Sequence, residues 1–215
     1  DWQVYETALV PLSTDIIINN EDANGEWRWF PGPNVSSYRV GYQDVAYSDA
    51  IKMYSACATT PWAADGMNNN NYFVFSYDGR TWYNSYGFTN SVFSGGSGFE
   101  SMAVGPISGS TMFVAVSRSQ TSSSSGGIRV AWSSDAVNWN KGTVTTSQEF
   151  EMQDVVYAKT SDTSGVFVAV GAGNAIGSTN NFRVARSTNG KTWTGIDTTT
   201  GGYTNKYWDA ITYAE

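Results

Sequence analysis

The sequence predicts an all-β domain made of four repeated, four-stranded antiparallel sheets. Three observations carry this expectation. A seven-residue motif recurs at a fixed period, two further markers keep its phase, and no capped apolar stretch shows a 3.6-residue period.

The motif reads Ser76-Tyr77-Asp78-Gly79-Arg80-Thr81-Trp82, then Ser133-Ser134-Asp135-Ala136-Val137-Asn138-Trp139, then Ser187-Thr188-Asn189-Gly190-Lys191-Thr192-Trp193. The tryptophans lie 57 and 54 residues apart, and a weaker relative, Asn24-Gly25-Glu26-Trp27, sits 55 residues before Trp82. A second marker is Met112–Val116 and Val166–Val170, with Phe113 and Phe167 each 26 residues before the motif tryptophan. Met53–Cys57 and Asp1–Tyr5 fill that slot in the other two copies. The third marker comprises Tyr42–Tyr47, Phe99–Val104, Met152–Tyr157 and Trp208–Tyr213. Each is a short β-rich run bounded by Gly, Ser or Asn, and reads as a strand.

One repeat is therefore a first strand (Met152–Ala158), a second (Val166–Val170), a third (Phe182–Ser187) and a fourth beginning near Trp193. Four antiparallel strands at a period near 50 residues is the arithmetic of a four-bladed β-propeller. The expected blades are 207–215 with 1–29, then 42–84, 99–140 and 152–195, in a single domain over 1–215. The termini are out of phase with the blades: residues 1–29 supply second, third and fourth strands, and 207–215 a lone first strand. A lone strand leaves an unpaired edge, so pairing it with the N-terminal strands closes the ring. Strand exchange with a neighbouring chain, giving a homo-oligomer, is the alternative. A piece of a longer propeller fits the same repeat.

Composition narrows the chemistry. The 215 residues carry no His and one Cys. That excludes Ser-His-Asp and Cys-His nucleophiles, His-ligated metals, Cys-rich zinc sites and an intrachain disulfide. A chain of this length buries roughly 70% of its unfolded surface and needs no such staple. Charged residues make up only 14%, and the net charge of −7 comes with no basic run, so no nucleic-acid partner is expected. No stretch approaches the ~18 apolar residues of a membrane helix, so no membrane insertion is expected. Asp1-Trp2-Gln3 opens no signal-peptide pattern; a mature start and an excised domain both fit.

The segment 76–82 resembles the Asp-box, or BNR repeat, of sialidase-like propellers. The likeness is close at 187–193, where Asn189 replaces Asp, and looser at 133–139, where Ala136 replaces Gly and Asn138 replaces Thr. Similar repeats occur in secreted proteins and in structural proteins of tailed bacteriophages. The resemblance implies a propeller whose Asp-boxes are folding elements joining third and fourth strands, and it implies no activity. The residues themselves agree. Asp78, Asp135 and Asn189 beside a small residue accept turn amides, while Trp82, Trp139 and Trp193 bury area between sheets.

An enzyme reading fares poorly. Sialidases of this kind use an arginine triad, a Tyr–Glu pair and an acidic Asp. Of seven arginines only Arg39 and Arg118 fall in the expected ligand-facing loops. Two carboxylates suffice for other glycosidases, and no pair among the 19 acidic residues stands out. Asn20–Gly25 begins like a calcium loop, but its twelfth position is Pro31 rather than Glu, so an Asn-Gly turn is the better reading. No catalytic residue, metal or cofactor is expected.

Recognition is expected in the divergent loops between second and third strands, 59–71, 117–127 and 171–181, and in those leading to the next blade, 83–98 and 195–207. Their aromatic and amide residues suit sugar rings or a wet protein interface. Trp62, Asn70, Tyr86, Arg39, Arg118, Asn174 and Tyr203 are the candidate binding residues. The expected role is a non-catalytic extracellular or virion-surface module that binds a glycan or cell-surface receptor. A pure assembly or decoration protein contacting neighbouring subunits is the first alternative, and a sialidase-like glycoside hydrolase the second. The one sequon, Asn34-Val35-Ser36, matters only in a source that glycosylates secreted chains.

Overall fold

The computed structural model describes residues 17–18, 29–30, 42–58, 72–85, 98–117, 129–145, 150–173, 182–197 and 208–214. These residues are all-β, with no helix among them. A short ladder pairs β1 (Ile17–Ile18) with β2 (Trp29–Phe30). The first sheet runs β3 (Tyr42–Ser48), β4 (Met53–Ala58), β5 (Phe73–Ser76) and β6 (Tyr83–Asn84), all antiparallel. The second repeats this order with β7 (Ser101–Ile107), β8 (Ser110–Ser117), β9 (Arg129–Ser133) and β10 (Asn140–Lys141). In the third, β11 (Thr143–Val144) joins β12 (Phe150–Ser161), β13 (Ser164–Gly173), β14 (Phe182–Ser187) and β15 (Thr192–Asp197).

Two details differ from the expectation. The third sheet starts at Phe150 and ends at Asp197, two residues beyond the expected range at each side. It also has a fifth strand, because β11 adds parallel to β15. The edge of β15 offers unpaired polar groups, and the chain leaving the second sheet takes them. Thr143 N donates to Lys191 O at 2.7 Å and Thr145 N to Trp193 O at 2.9 Å.

Strand periodicity makes both faces of the middle sheet apolar. Met102, Phe113, Ala115 and Ala131 point one way, into a core shared with Cys57, Phe73 and Phe75 of the first sheet. Ala103, Met112, Val114, Val116 and Val130 point the other way, into a core with Met152, Val155, Phe167, Ala169 and Ala185 of the third. β8 is consequently buried from Thr111 to Ser117, and its continuous apolar run reads as a strand covered on both faces. The tryptophans ending the second and third turn motifs reach back to the preceding sheet. Trp139 stacks on Phe73 at 3.8 Å and 7°, and Trp193 lies in the core with Val114 and Val130.

The first strands are laced together by side chains. β7 packs between β3 and β12. Asp44 Oδ2 accepts Met102 N at 2.8 Å and the Ser101 hydroxyl at 3.0 Å. Ser101 Oγ accepts Val155 N at 3.4 Å, and Asp154 Oδ2 accepts Ile211 N at 2.8 Å. Asp44, Ser101 and Asp154 hold the same phase of the repeat, as do Met102, Val155 and Ile211. In β3 and β12 a register irregularity at Gln43 and at Gln153 precedes the aspartate. Such a bulge re-aims the next side chain, here toward the neighbouring strand.

Residues 208–214 join no ladder among the described residues, yet they follow β12. Trp208 N donates to Gly171 O at 3.4 Å and the Tyr213 hydroxyl to Lys159 O at 3.1 Å. The second strand expected beside them in the blade with residues 1–29, Asp1–Tyr5, lies outside the described residues.

Trp139 is 2% exposed and closes the first interface, so Trp139→Ala is expected to cost about 3–5 kcal/mol. Trp139→Phe, which keeps a ring over Phe73, should cost less. Urea denaturation of the two variants measures the difference.

Candidate functional site

The repeated turn is the best-defined polar assembly. In 76–82, Ser76 Oγ accepts Gly79 N at 2.8 Å, and Asp78 Oδ1 accepts Arg80 N at 2.8 Å and Thr81 N at 2.7 Å. Asp78 Oδ2 also accepts the Thr81 hydroxyl at 3.2 Å. In 133–139, Asp135 Oδ1 takes Val137 N at 2.9 Å and Asn138 N at 2.7 Å, while Oδ2 takes the Asn138 amide at 2.9 Å. Asn189 Oδ1 does the same for Lys191 N at 2.9 Å and Thr192 N at 2.8 Å. One carbonyl-type oxygen suffices, which explains why Asn replaces Asp there. The indole N–H of Trp139 and of Trp193 donates back to Ala136 O and Gly190 O, at 3.0 and 3.1 Å.

These bonds consume the chemistry of the turn. The Thr81 amide foremost, with Arg80 and Ser76, holds the Asp78 carboxyl down from its ordinary 3.8 to about 2. For Asp135, desolvation opposes the shift, but the bonds from Asn138, Ser133 and Val137 prevail and its pKa is lowered. Asp78, Trp82, Asp135, Trp139, Asn189 and Trp193 are thus placed as the turn and its anchor.

A second polar cluster joins Asp44, Ser101 and Asp154. Ser101 Oγ is 3.0 Å from Asp44 Oδ2 and 2.7 Å from Asp154 Oδ1, and its single proton serves one carboxylate at a time. The other carboxylate oxygens are engaged by amides. Asp44 Oδ1 accepts Val45 N and Asp154 Oδ2 accepts Ile211 N, both at 2.8 Å, and Asp154 Oδ1 also accepts Val155 N at 2.8 Å. Both carboxylates act as clamps between strands. Sequence reasoning missed this cluster, although the shared phase of the three residues was its signal.

The outward face of the first sheet holds a cavity of about 390 Å³ lined by Tyr42, Gln43, Asp44, Val45, Ala56, Val74 and Trp82. Tyr54 lies beside it, 6.4 Å from Trp82 and 4.4 Å from Tyr47 between ring centroids. Burial pushes the Tyr42 hydroxyl far above the usual phenol range, so it stays protonated as a donor. Burial likewise, with Asp44 adding to it, raises the Cys57 thiol, which faces the core and offers no nucleophile. No group of three or more His, Cys, Asp or Glu side chains is arranged to hold a metal among the described residues. Also among them, no helix is long and apolar enough to cross a membrane.

The binding candidates Trp62, Asn70, Tyr86, Arg39, Arg118, Asn174 and Tyr203 all lie outside the described residues. The sheets do fix the end from which their segments leave. The tight turns Ser108–Gly109 and Asp162–Thr163 touch, with Gly109 N donating to Thr163 O at 2.9 Å. In antiparallel sheets the three motif turns share that end, and segments 59–71, 118–128 and 174–181 leave from the other. No family model matches the chain, and no curated protein matches it.

Gly79 and Gly190 both have φ of +71°, the left-handed region, and Ala136 holds φ of +60° in the same slot. An added Cβ would meet only the Tyr54 ring at 3.5 Å at Gly79, but Met112 Cγ at 2.6 Å at Gly190. Gly79→Ala should therefore cost about 1 kcal/mol from backbone strain, and Gly190→Ala about 2–4 kcal/mol once overpacking is added. Denaturant midpoints of the two variants give the comparison.

Because the Asp78 pKa is lowered, its turn contributes stability above pH 3.8 that fades as pH falls toward 2. Asp78→Asn, the residue used at position 189, should fold at neutral pH and lose less of its melting temperature between pH 4 and 2 than the parent chain. Thermal melts at the two pH values measure this.

Proposed function

We propose that the chain is a non-catalytic binding module of an extracellular or virion surface, built as a four-bladed Asp-box propeller. The first strands of the blades are β3, β7, β12 and the segment 207–215, and residues 1–29 complete the fourth blade. The observation that carries this architecture is the repeated lateral bond. Asp44 takes Met102 N, Ser101 takes Val155 N and Asp154 takes Ile211 N, so residues 208–214 stand to β12 as β12 stands to β7. The fourth copy has Ala210 in the accepting position, and Val45 N is held instead by its own Asp44.

The same arrangement supports the functional side. One end carries tight turns whose polar groups are already satisfied, which leaves recognition to the segments at the opposite end. There Trp62, Asn70, Tyr86, Arg39, Arg118, Asn174 and Tyr203 supply rings, amides and cations to a glycan or a cell-surface receptor. The clamped carboxylates and the saturated turns favour binding over turnover. Assembly with neighbouring subunits is the second reading, favoured by Trp208 and Tyr213, which are 38% and 44% exposed.

A multimerised form of the chain on a broad glycan array is expected to give selective signals that fall with Trp62→Ala or Tyr203→Ala. Silence across the array removes the glycan partner. Product release from a sialoside and polysaccharide panel at saturating protein would replace the proposal with the hydrolase reading.

A further inference from the structure

The two described inter-sheet contacts obey one rule. The motif tryptophan of each sheet lands on the third strand of the sheet before it: Trp139 stacks on Phe73, and Trp193 packs with Val130. Phe73 and Val130 both lie nine residues before their own motif tryptophan. Trp82 is next in this series. Among the described residues its ring contact is with Tyr54 of its own sheet, and beside it lies the 390 Å³ cavity bounded by Val45, Ala56 and Val74. On this face Val45 is 55% exposed beside Ala56 at 6% and Val74 at 3%, whereas Val114 and Val116 on the covered middle sheet are fully buried.

The chain holds a segment in the right phase to cover it. β1 pairs with β2 through Ile18↔Trp29, and β2 follows Trp27 as β6 follows Trp82. The pairs equally placed, two residues past the motif tryptophan, are Val74↔Asn84 and Ala131↔Lys141. By that register β1 is a third strand, and Ile17, opposite Phe30, stands where Phe73 stands opposite Ser85, with ten residues rather than nine between it and its motif tryptophan. We propose that the cavity beside Trp82 is the docking seat of β1 from the same chain, with Ile17 over Trp82 as Phe73 lies over Trp139. The proposal rests on the ring reading above and adds which face receives the N-terminal strands. It also makes the cavity an internal interface rather than a ligand pocket. Continuity with the two described interfaces is what selects this occupant over a second copy or a sugar.

Photo-crosslinking of the full chain tests it. p-Benzoylphenylalanine placed at residue 17 is expected to join the 74–84 stretch in a species of single-chain mass. The same link found only in a species of double mass gives the seat to a second copy and overturns the proposal, as do links found only elsewhere. A second probe at residue 213 tests the ring itself through links to residues 1–10. Links from 213 without a 17-to-82 link sink the seat and leave the ring standing; failure of both sinks both. Should the probe at 17 prevent folding, melting temperatures of Ile17→Ala, Trp82→Ala and the double variant decide. The proposal expects the double variant to melt near the lower single, and fully additive losses overturn it.

Discussion

A strand whose two faces are both apolar cannot be stabilised by one neighbour. The middle sheet faces this constraint most fully, because its second strand alternates nothing and is buried from Thr111 to Ser117. The middle sheet meets the requirement by being covered on both sides. The outer two each pack one face on the middle sheet, and their other faces carry Val45, exposed beside buried Ala56 and Val74, on one and Val168, Val184 and Ile196 on the other.

The polar devices sort by the same logic. At one end of each of the three larger sheets, Ser and Asp or Asn side chains accept the amides of a left-handed turn locally, within seven residues. Along the first strands, Asp44, Ser101 and Asp154 satisfy amides across sheets, between residues 54–58 positions apart. Local bonds set the shape of each sheet, and lateral ones set its order among neighbours.

This division also explains what could be read in the sequence. The turn was legible residue by residue, because its partners are near in sequence and their types are constrained; even Asn189 for Asp fits the one-oxygen requirement. Strand order followed from the phase of the markers. The lateral bonds were not legible as bonds, since the direction of Asp44 and Asp154 depends on irregularities at Gln43 and Gln153 that no residue type announces. β11 was missed for a related reason: two residues, Thr143 and Val144, show no periodicity, and their pairing depends on which edge lies nearby. The cavity beside Trp82 could have been inferred from the repeat, by asking which of the three motif tryptophans follows no four-stranded sheet among the described residues.

The crossing from the second sheet to the third has one more consequence. Gly142 N still bonds Val130 O, and Thr143 N already bonds Lys191 O, so a single peptide step changes sheets. A connection without slack cannot tolerate a change of length. One inserted residue would turn Val144 away from the core and detach Thr145 from Trp193. The bonds on either side of Gly142 therefore set the length of this joint to the residue.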